Sequence, residues 1–319
     1  MKPIKVAVVG VGYLGRFHAQ KYKAMPNVEL VCVVEPNPER GSEIAQELQV
    51  PVYNSILPII GQIDAVSVAC PTVSHFHITR ELLNASIHCF VEKPITTTLD
   101  EANELIALAS QKGLILQVGH IERFNPAIAF LLQHVTRPMF IEAHRLSVFK
   151  QRAIDVDVVL DLMIHDLDLV LALMKTMPRE LHAVGTPVLT PNVDIANARL
   201  VFANGCVANL TASRISLAPM RKFRVFEPGR YISADSIEQK NVMVSVQASA
   251  QKAEQRLLPT VIEHDKQDSL LNELNSFIEG IRSSSRPPVT GEDGRLALAL
   301  AMEVKASIEM NRSKAEFGQ

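Results

Sequence analysis

The chain has 319 residues, 47% of them hydrophobic and 21% charged, with a formal net charge of −2. That length accommodates two domains, and the near-neutral balance leaves no basic excess to pair with nucleic-acid phosphates or an anionic membrane. No apolar run reaches the ~18 residues of a membrane span. The four cysteines, Cys32, Cys70, Cys89 and Cys206, show no metal-ligand spacing. They read as small core residues in a reducing, cytoplasmic setting.

Residues 5–9 form an apolar strand that runs into Gly10-Val11-Gly12-Tyr13-Leu14-Gly15. A helical stretch follows to about residue 25. A second apolar run, 28–34, ends on Glu35, twenty positions after Gly15. This order of strand, GxGxxG, helix, strand and acid predicts a dinucleotide site. Gly10 permits the tight turn, Gly12 lets the backbone approach a pyrophosphate, and Gly15 lets helix and strand pack closely. Tyr13 and Leu14 open a helix whose N-terminal N–H groups and positive dipole end face the phosphates. Glu35 is expected to accept hydrogen bonds from the adenosine ribose and to favour NAD over NADP, since a 2′-phosphate would meet its carboxylate. Arg40 is near enough to soften that preference, so NADP stays open.

The same grammar continues to about residue 120. Helices are expected at 38–48, 74–85 and 98–112, and strands at 65–70, 88–91 and 114–118. Thr98 with Glu101 makes a capping box, and Gly113 ends that helix. Alternating strands and helices imply a doubly wound parallel sheet of the Rossmann type, whose ligand crevice lies beyond the C-terminal strand ends. Pro71, Thr72, Glu92, Lys93 and His120 fall at such ends. Thr72 and His75 are expected at the nicotinamide half of the cofactor, with His77 as packing. Lys93 is suited to donate a hydrogen bond to a substrate hydroxyl; as a bare Glu-Lys-Pro tripeptide it would read as a surface lysine beside a turn proline.

Beyond residue 120 the pattern changes. Helices are expected at 126–134 and 158–174, and strands at 140–149, 198–203, 206–213, 222–226, 231–233 and 242–246. Asn204-Gly205 is the hairpin turn of one pair. Two helices, 269–283 and 294–309, close the chain. The expected class is therefore α/β, with a Rossmann domain over 1–120 and an α+β domain with a mainly antiparallel sheet over 121–319, its closing helices near the domain junction. That second domain is expected to bind substrate and to form homo-oligomers, a dimer or a tetramer.

Asp161, His165 and Asp168 recur at i, i+4 and i+7 in a very apolar helix and so share one face. Three readings stay open for them: a histidine general base oriented by a carboxylate, a satisfied structural pair, or a three-ligand metal site. Of these the first is preferred and no metal is expected. Asp166 is expected to be solvated or paired at the surface. Arg123, with Asn125 beside it, stands where an anionic substrate group would bind, or where a structural ion pair would form.

With these pieces in place, the chain resembles the glucose–fructose oxidoreductase / inositol dehydrogenase (Gfo/Idh/MocA) family. The resemblance rests on Gly10-x-Gly12-x-x-Gly15-Arg16-x-His18, Glu92-Lys93-Pro94, Gly119-His120-x-x-Arg123-Phe124-Asn125-Pro126, Asp161-x-x-x-His165, and Val289-Thr290-Gly291-Glu292-Asp293-Gly294. It implies a dehydrogenase acting on a sugar or cyclitol hydroxyl with a nicotinamide cofactor, and Lys93, Asp161 and His165 as its catalytic set. His120, Arg123, Asn125 and Asp168 are the expected substrate contacts. One departure stands out: Asp155-Val156-Asp157-Val158-Val159-Leu160 replaces the glycine-rich stretch frequent in the family. That variant and Tyr231-Ile232-Ser233-Ala234-Asp235 are similar to the branch of UDP-N-acetylglucosamine 3-dehydrogenases, which implies a nucleotide-sugar substrate and an aminotransferase as downstream partner.

Overall fold

In the computed structural model, which describes residues 2–149, 156–246 and 257–317, the first apolar run is the central strand of a parallel sheet. The strands are β1 (Ile4–Val9), β2 (Val28–Val34), β3 (Val52–Tyr53), β4 (Ala65–Val68), β5 (His88–Glu92) and β6 (Leu116–Gly119). They lie in the order β3-β2-β1-β4-β5-β6, with every neighbouring pair parallel. The helices among them are α1 (Tyr13–Ala24), α2 (Pro38–Leu48), α3 (His75–Asn84) and α4 (Leu99–Lys112). The strand order reverses between β1 and β4, which puts the ligand crevice beyond their C-terminal ends. All four residues of β4 and five of the six in β1 are buried, as strands covered on both faces must be. The Thr98–Glu101 capping box is present and Gly113 closes α4 in the left-handed region.

The second sheet has eight strands. Its elements are α5 (Pro126–His134), β7 (Phe140–Leu146), α6 (Ile164–Met174), β8 (Glu180–Thr186), β9 (Ile195–Val201), β10 (Val207–Ser213), β11 (Met220–Glu227), β12 (Arg230–Asp235), β13 (Lys240–Val246) and β14 (Leu257–Glu263). The order is β14-β13-β12-β11-β7-β10-β9-β8, antiparallel throughout except β7 beside β10. Asn204-Gly205 turns the β9–β10 hairpin, with Gly205 at φ +83°. Alternate residues such as Ile141, Ala143, Leu210, Phe223 and Ile232 point into one core with Ile128, Leu131, Leu167 and Val170 of the helices. The opposite parity, for example Glu142 and His144 in β7, stays half-exposed.

The helix α7 (Ser269–Ser283) puts Leu270, Leu274, Phe277 and Ile278 into the core of the first sheet beside Val6, Tyr22 and Phe90. The last helix, α8 (Gly291–Phe317), is longer than its sequence pattern suggested. The chain thus forms two compact units, Met1–Ile121 with Asp268–Arg295 and Glu122–Gln267 with Leu296–Gln319. Residues 268–295 belong with the first unit, although by position they read as part of the second. β3, β8 and β14 had no clear sequence signal. β3 has two residues, and β14 carries Pro259 and buries none of its seven, so it shows no inward–outward alternation.

Asp194, at 0% exposure, organises the turn between β8 and β9. Its Oδ2 accepts the N–H groups of Val188, Leu189 and Thr190 at 2.8, 2.7 and 2.9 Å, and its Oδ1 accepts Thr190 Oγ1 at 2.8 Å. Burial pushes the carboxyl up, but these hydrogen bonds outweigh it and bring the pKa down to about 2. An unfolded aspartate titrates near about 3.9, so the stabilisation is complete above that value and is lost as pH falls towards 2. Asp194→Asn is expected to lower the melting temperature at pH 7 and to flatten its fall between about pH 4 and 2. Thermal melts of both proteins across that window are the check.

Candidate active site

The glycine loop is crowded except where a ligand needs room. Gly10 has φ +81°, and a Cβ there would lie 2.6 Å from the Cys70 backbone. A Cβ on Gly15 would lie 1.8 Å from the Gly10 carbonyl oxygen, whereas one on Gly12 would meet nothing within 4 Å. Gly12, Tyr13 and Leu14 are exposed together at the start of α1, which has no side-chain cap. A helix start without a side-chain cap, behind an open glycine, is the fit a pyrophosphate requires.

Glu35 and Arg40 grip the same loop. Glu35 accepts the Val11 N–H at 3.0 Å and the Asn37 N–H at 3.1 Å. Arg40 donates from Nε to the Val11 carbonyl at 2.7 Å, from Nη2 to that of Gly12 at 3.4 Å, and from Nη1 to Glu43 at 2.8 Å. Beside them lies a cavity of about 440 Å³ lined by Glu35, Asn54, Ser55, Pro71, Ser74 and His77. His77, expected as packing, is exposed and faces this cavity. Asn54 and Ser55 escaped sequence reasoning because they follow the two-residue strand β3.

Behind the crevice, Glu92 and Lys93 end β5. His18 of α1, fully buried, joins its Nε2 to Glu92 Oε1 at 3.1 Å and its Nδ1 to Ser67 Oγ at 3.2 Å. Tyr22 Oη meets the same Ser67 Oγ at 2.9 Å, and the Lys93 N–H donates to Glu92 Oε2 at 3.2 Å. One proton arrangement serves the whole chain: Tyr22 to Ser67, Ser67 to His18 Nδ1, and His18 Nε2–H to Glu92. Burial pushes the Glu92 carboxyl up, but His18 and Lys93 together outweigh it and hold it below its ordinary value. A Cβ on Gly119 would lie 2.9 Å from that carboxyl group, so glycine is what makes room for it.

The other residues expected at the cofactor and substrate are placed as follows. His75 is buried, with Nδ1 2.9 Å from the Pro94 carbonyl oxygen and Nε2 2.9 Å from that of Cys70. Both ring nitrogens thus lie against backbone carbonyls of two loops, and burial pushes its pKa down. Thr72 begins a 3₁₀ turn, Thr72–Ser74, and is half-buried. His120 is buried. The closing motif caps α8: Thr290 and Asp293 exchange hydrogen bonds, and Cβ atoms on Gly291 or Gly294 would crowd Ile106 and Val118.

In the second unit, Asp161 lies in a π-helical turn, Val159–Met163, that precedes α6. Asp157 starts this turn by accepting the N–H groups of Val159 and Leu160, both at 3.0 Å, and pairs with Lys305 at 2.7 Å. Asp155 of the expected glycine-rich replacement lies outside the described residues. Asp161 and His165 are half-buried, and Asp161 lines a cavity of about 420 Å³. The i, i+4, i+7 expectation assumes a regular α-helix throughout, whereas Asp161 lies in this wider turn and His165 and Asp168 in α6.

Asp168 instead holds Arg123 in a buried two-point pair, 2.7 Å to Nε and 2.6 Å to Nη2. Of the two readings left open for Arg123, the ion pair is the one present, and Asp168 is its partner. Asn125 is likewise committed, its Oδ1 capping α5 at Ala127 N and its Nδ2 donating to the Ser236 carbonyl. Asp166, expected at the surface, is buried and grips Arg145 through Nε at 2.9 Å and Nη2 at 2.8 Å. Arg145 Nη1 continues to Glu122 at 2.8 Å. Arg145 was detectable in the sequence, since it shares the inward parity of Ile141 and Ala143 in β7. Among the described residues, no three His, Cys, Asp or Glu side chains gather as a metal would require.

Residues 4–120 match the model of an oxidoreductase family with an NAD-binding Rossmann fold, and residues 133–227 match the GFO/IDH/MocA C-terminal domain. The chain is 38% identical to the UDP-N-acetylglucosamine 3-dehydrogenase of Acidithiobacillus ferrooxidans over 96% of its own length and 97% of the relative's. The chain belongs to the GFO/IDH/MocA oxidoreductase family. A structure of that Acidithiobacillus ferrooxidans enzyme superposes with a TM-score of 0.89, covering 97% of this chain and 99% of that one. The myo-inositol 2-dehydrogenase of Thermotoga maritima is 26% identical over 97% of this chain and 98% of its own. The protein is thus an NAD(P)-dependent oxidoreductase with an N-terminal NAD-binding domain.

Two outcomes follow for the cofactor side. Glu35→Ser is expected to narrow the preference for NAD over NADP by about tenfold, the worth of one charge-assisted hydrogen bond; fluorescence titration with NADH and NADPH reads it, and an unchanged ratio would place discrimination elsewhere. His18→Leu is expected to lower kcat by about 10- to 100-fold by loosening the loop that carries Lys93. His18→Gln, which keeps a donor towards Glu92 and an acceptor towards Ser67, is expected to recover most of that loss in the same steady-state assay.

Proposed function

We propose that this protein oxidises the 3-hydroxyl of UDP-N-acetylglucosamine to a ketone. The observation that carries the reading is the end-to-end match to a UDP-N-acetylglucosamine 3-dehydrogenase, in sequence and in fold. It is supported by Asp161 on the cavity of the second unit, by the half-buried His165 four residues on, and by the Glu92-held Lys93 of the first.

Gly10, Gly12, Gly15 and the start of α1 hold the cofactor diphosphate, and Glu35 binds the ribose. Bound NAD supplies the acceptor for the hydride that leaves C3. His165 takes the hydroxyl proton, which suits an imidazole near neutral pH. Asp161 orients the ring and offsets the charge it gains. Lys93 donates a hydrogen bond to the same substrate oxygen and stabilises negative charge as the O–H bond breaks. With that acceptor in place, the hydroxyl proton would end on His165 and the carbon would become C=O. A 3-keto sugar is the acceptor an aminotransferase needs, so such an enzyme is the natural consumer of the product.

The half-exposed face of the eight-stranded sheet, where Arg224, Phe226 and Tyr231 lie, suits a homo-oligomeric interface. Four free cysteines suit a reducing cytoplasm, and among the described residues no helix is long and apolar enough to cross a membrane.

Reduced-nicotinamide absorbance is expected to rise when the protein meets NAD and UDP-N-acetylglucosamine, with removal of the product by an aminotransferase and amine donor if equilibrium hides it. Lys93→Ala and His165→Ala are each expected to lower kcat by about 100-fold or more while NADH affinity holds. Signal with myo-inositol but not the nucleotide sugar would discard the substrate; full turnover in both variants would discard the catalytic set.

A further inference from the structure

The ion pair of Arg123 with Asp168 leaves open which group of the second unit would meet an anionic substrate. A pyranose oxidised at C3 and esterified at C1 carries its reacting hydroxyl and its diphosphate on one small ring. A site for such a compound therefore needs a proton acceptor and a cation in the same cavity. A free sugar or a cyclitol needs only the first. The cavity that holds Asp161 is lined by two cations, Arg214 and Arg221, together with Ser147, Leu162 and Ile237.

The two arginines differ in what they have left to give. Arg214 is buried, donates to the Val156 carbonyl, and has its Nε 3.8 Å from Asp194. Arg221 keeps 44% of its side chain exposed and is tethered by Nη1 to Glu122 Oε1 at 3.3 Å. Glu122 takes its shorter bond, 2.8 Å, from Arg145, which also holds Asp166. These four residues form a chain from α6 to β11: Asp166, Arg145, Glu122, Arg221. Its formal charges sum to zero, so Arg221 is held in place without being swamped by carboxylate. Arg221 is also directly opposite Arg145 in the β7–β11 register, and so shares its face of the sheet.

A guanidinium anchored on one side and solvated on the other matches the fork geometry of a phosphate. We infer that Arg221 is the anion ligand of this cavity, receiving the diphosphate of a nucleotide sugar whose ring reaches Asp161. The inference rests on the nucleotide-sugar reading above and adds the residue that separates that class from neutral polyols. Arg123, the arginine that the sequence offered for this task, is spent on Asp168; Arg221 was hidden because a basic residue at a strand start carries no signal of its own.

The test is UDP binding by calorimetry, with UMP and inorganic phosphate as further probes, beside the KM for UDP-N-acetylglucosamine. Arg221→Met is expected to weaken UDP and raise that KM by about 10- to 100-fold, the range for losing hydrogen bonds to a charged group. UMP should lose less than UDP, and NADH affinity should hold, which also reports that the variant is folded. Arg221→Lys keeps the charge without the fork, is the gentler change if the first fails to fold, and should lie between. UDP affinity and KM within about twofold of the parent in a folded variant would overturn the inference, twofold being under 0.5 kcal/mol; inorganic phosphate bound as tightly as UDP would overturn its diphosphate part. A parent that binds UDP through Arg221 but never oxidises the nucleotide sugar keeps the anion site and fails the proposed reaction, whereas turnover indifferent to Arg221 does the reverse.

Discussion

A carboxylate taken out of water must find a partner or give up its charge, and both units are organised around that requirement. In the first, Glu92 is buried against Gly119 and held by His18 and by the Lys93 backbone. In the second, Asp166 and Glu122 share Arg145, and Asp168 takes Arg123. These pairs carry no chemistry themselves. They fix the backbone from which Lys93, Asp161 and His165 project, and a buried pair is costly to break because the survivor is left uncompensated.

This explains why charged residues near the candidate site divide so sharply. Helix α6 is pinned at Asp166 and Asp168 within three residues, each through two hydrogen bonds to an arginine. The π turn immediately before it then presents Asp161 and Leu162 to a cavity while Val159 and Met163 face the interior. A wider turn of this kind costs helical hydrogen-bond geometry and recurs where function needs a side chain re-aimed.

The glycine loop shows the same economy of space. Gly10 and Gly15 are required by contacts at 2.6 and 1.8 Å that no side chain survives, while nothing in the protein crowds a side chain at Gly12, which leaves open the space a diphosphate would need. Three glycines of one motif thus sit in two different surroundings, as the fingerprint's separate roles for them require.

The sequence alone determined the Rossmann unit, since its strands are buried on both faces and its turns and caps are local. The glycine loop, Glu35 at the end of β2, the capping box of α4 and the Asn204-Gly205 hairpin are all written within a few residues of where they act. Asp161 and His165 stood out in the sequence as polar groups in an apolar helix, and Lys93 by its place at a strand end. What only tertiary structure decided was the partner of each charge. Arg123 could have met substrate or Asp168, His75 could have met cofactor or backbone, and Asp166 could have met solvent or Arg145. Those choices depend on pairs up to 45 residues apart, such as His75–Pro94, Arg145–Asp166 and Arg123–Asp168, and on strand registers that bring Arg221 beside Arg145. Periodicity says which face a residue occupies; it carries no information on what another element, folded against it, has placed within reach.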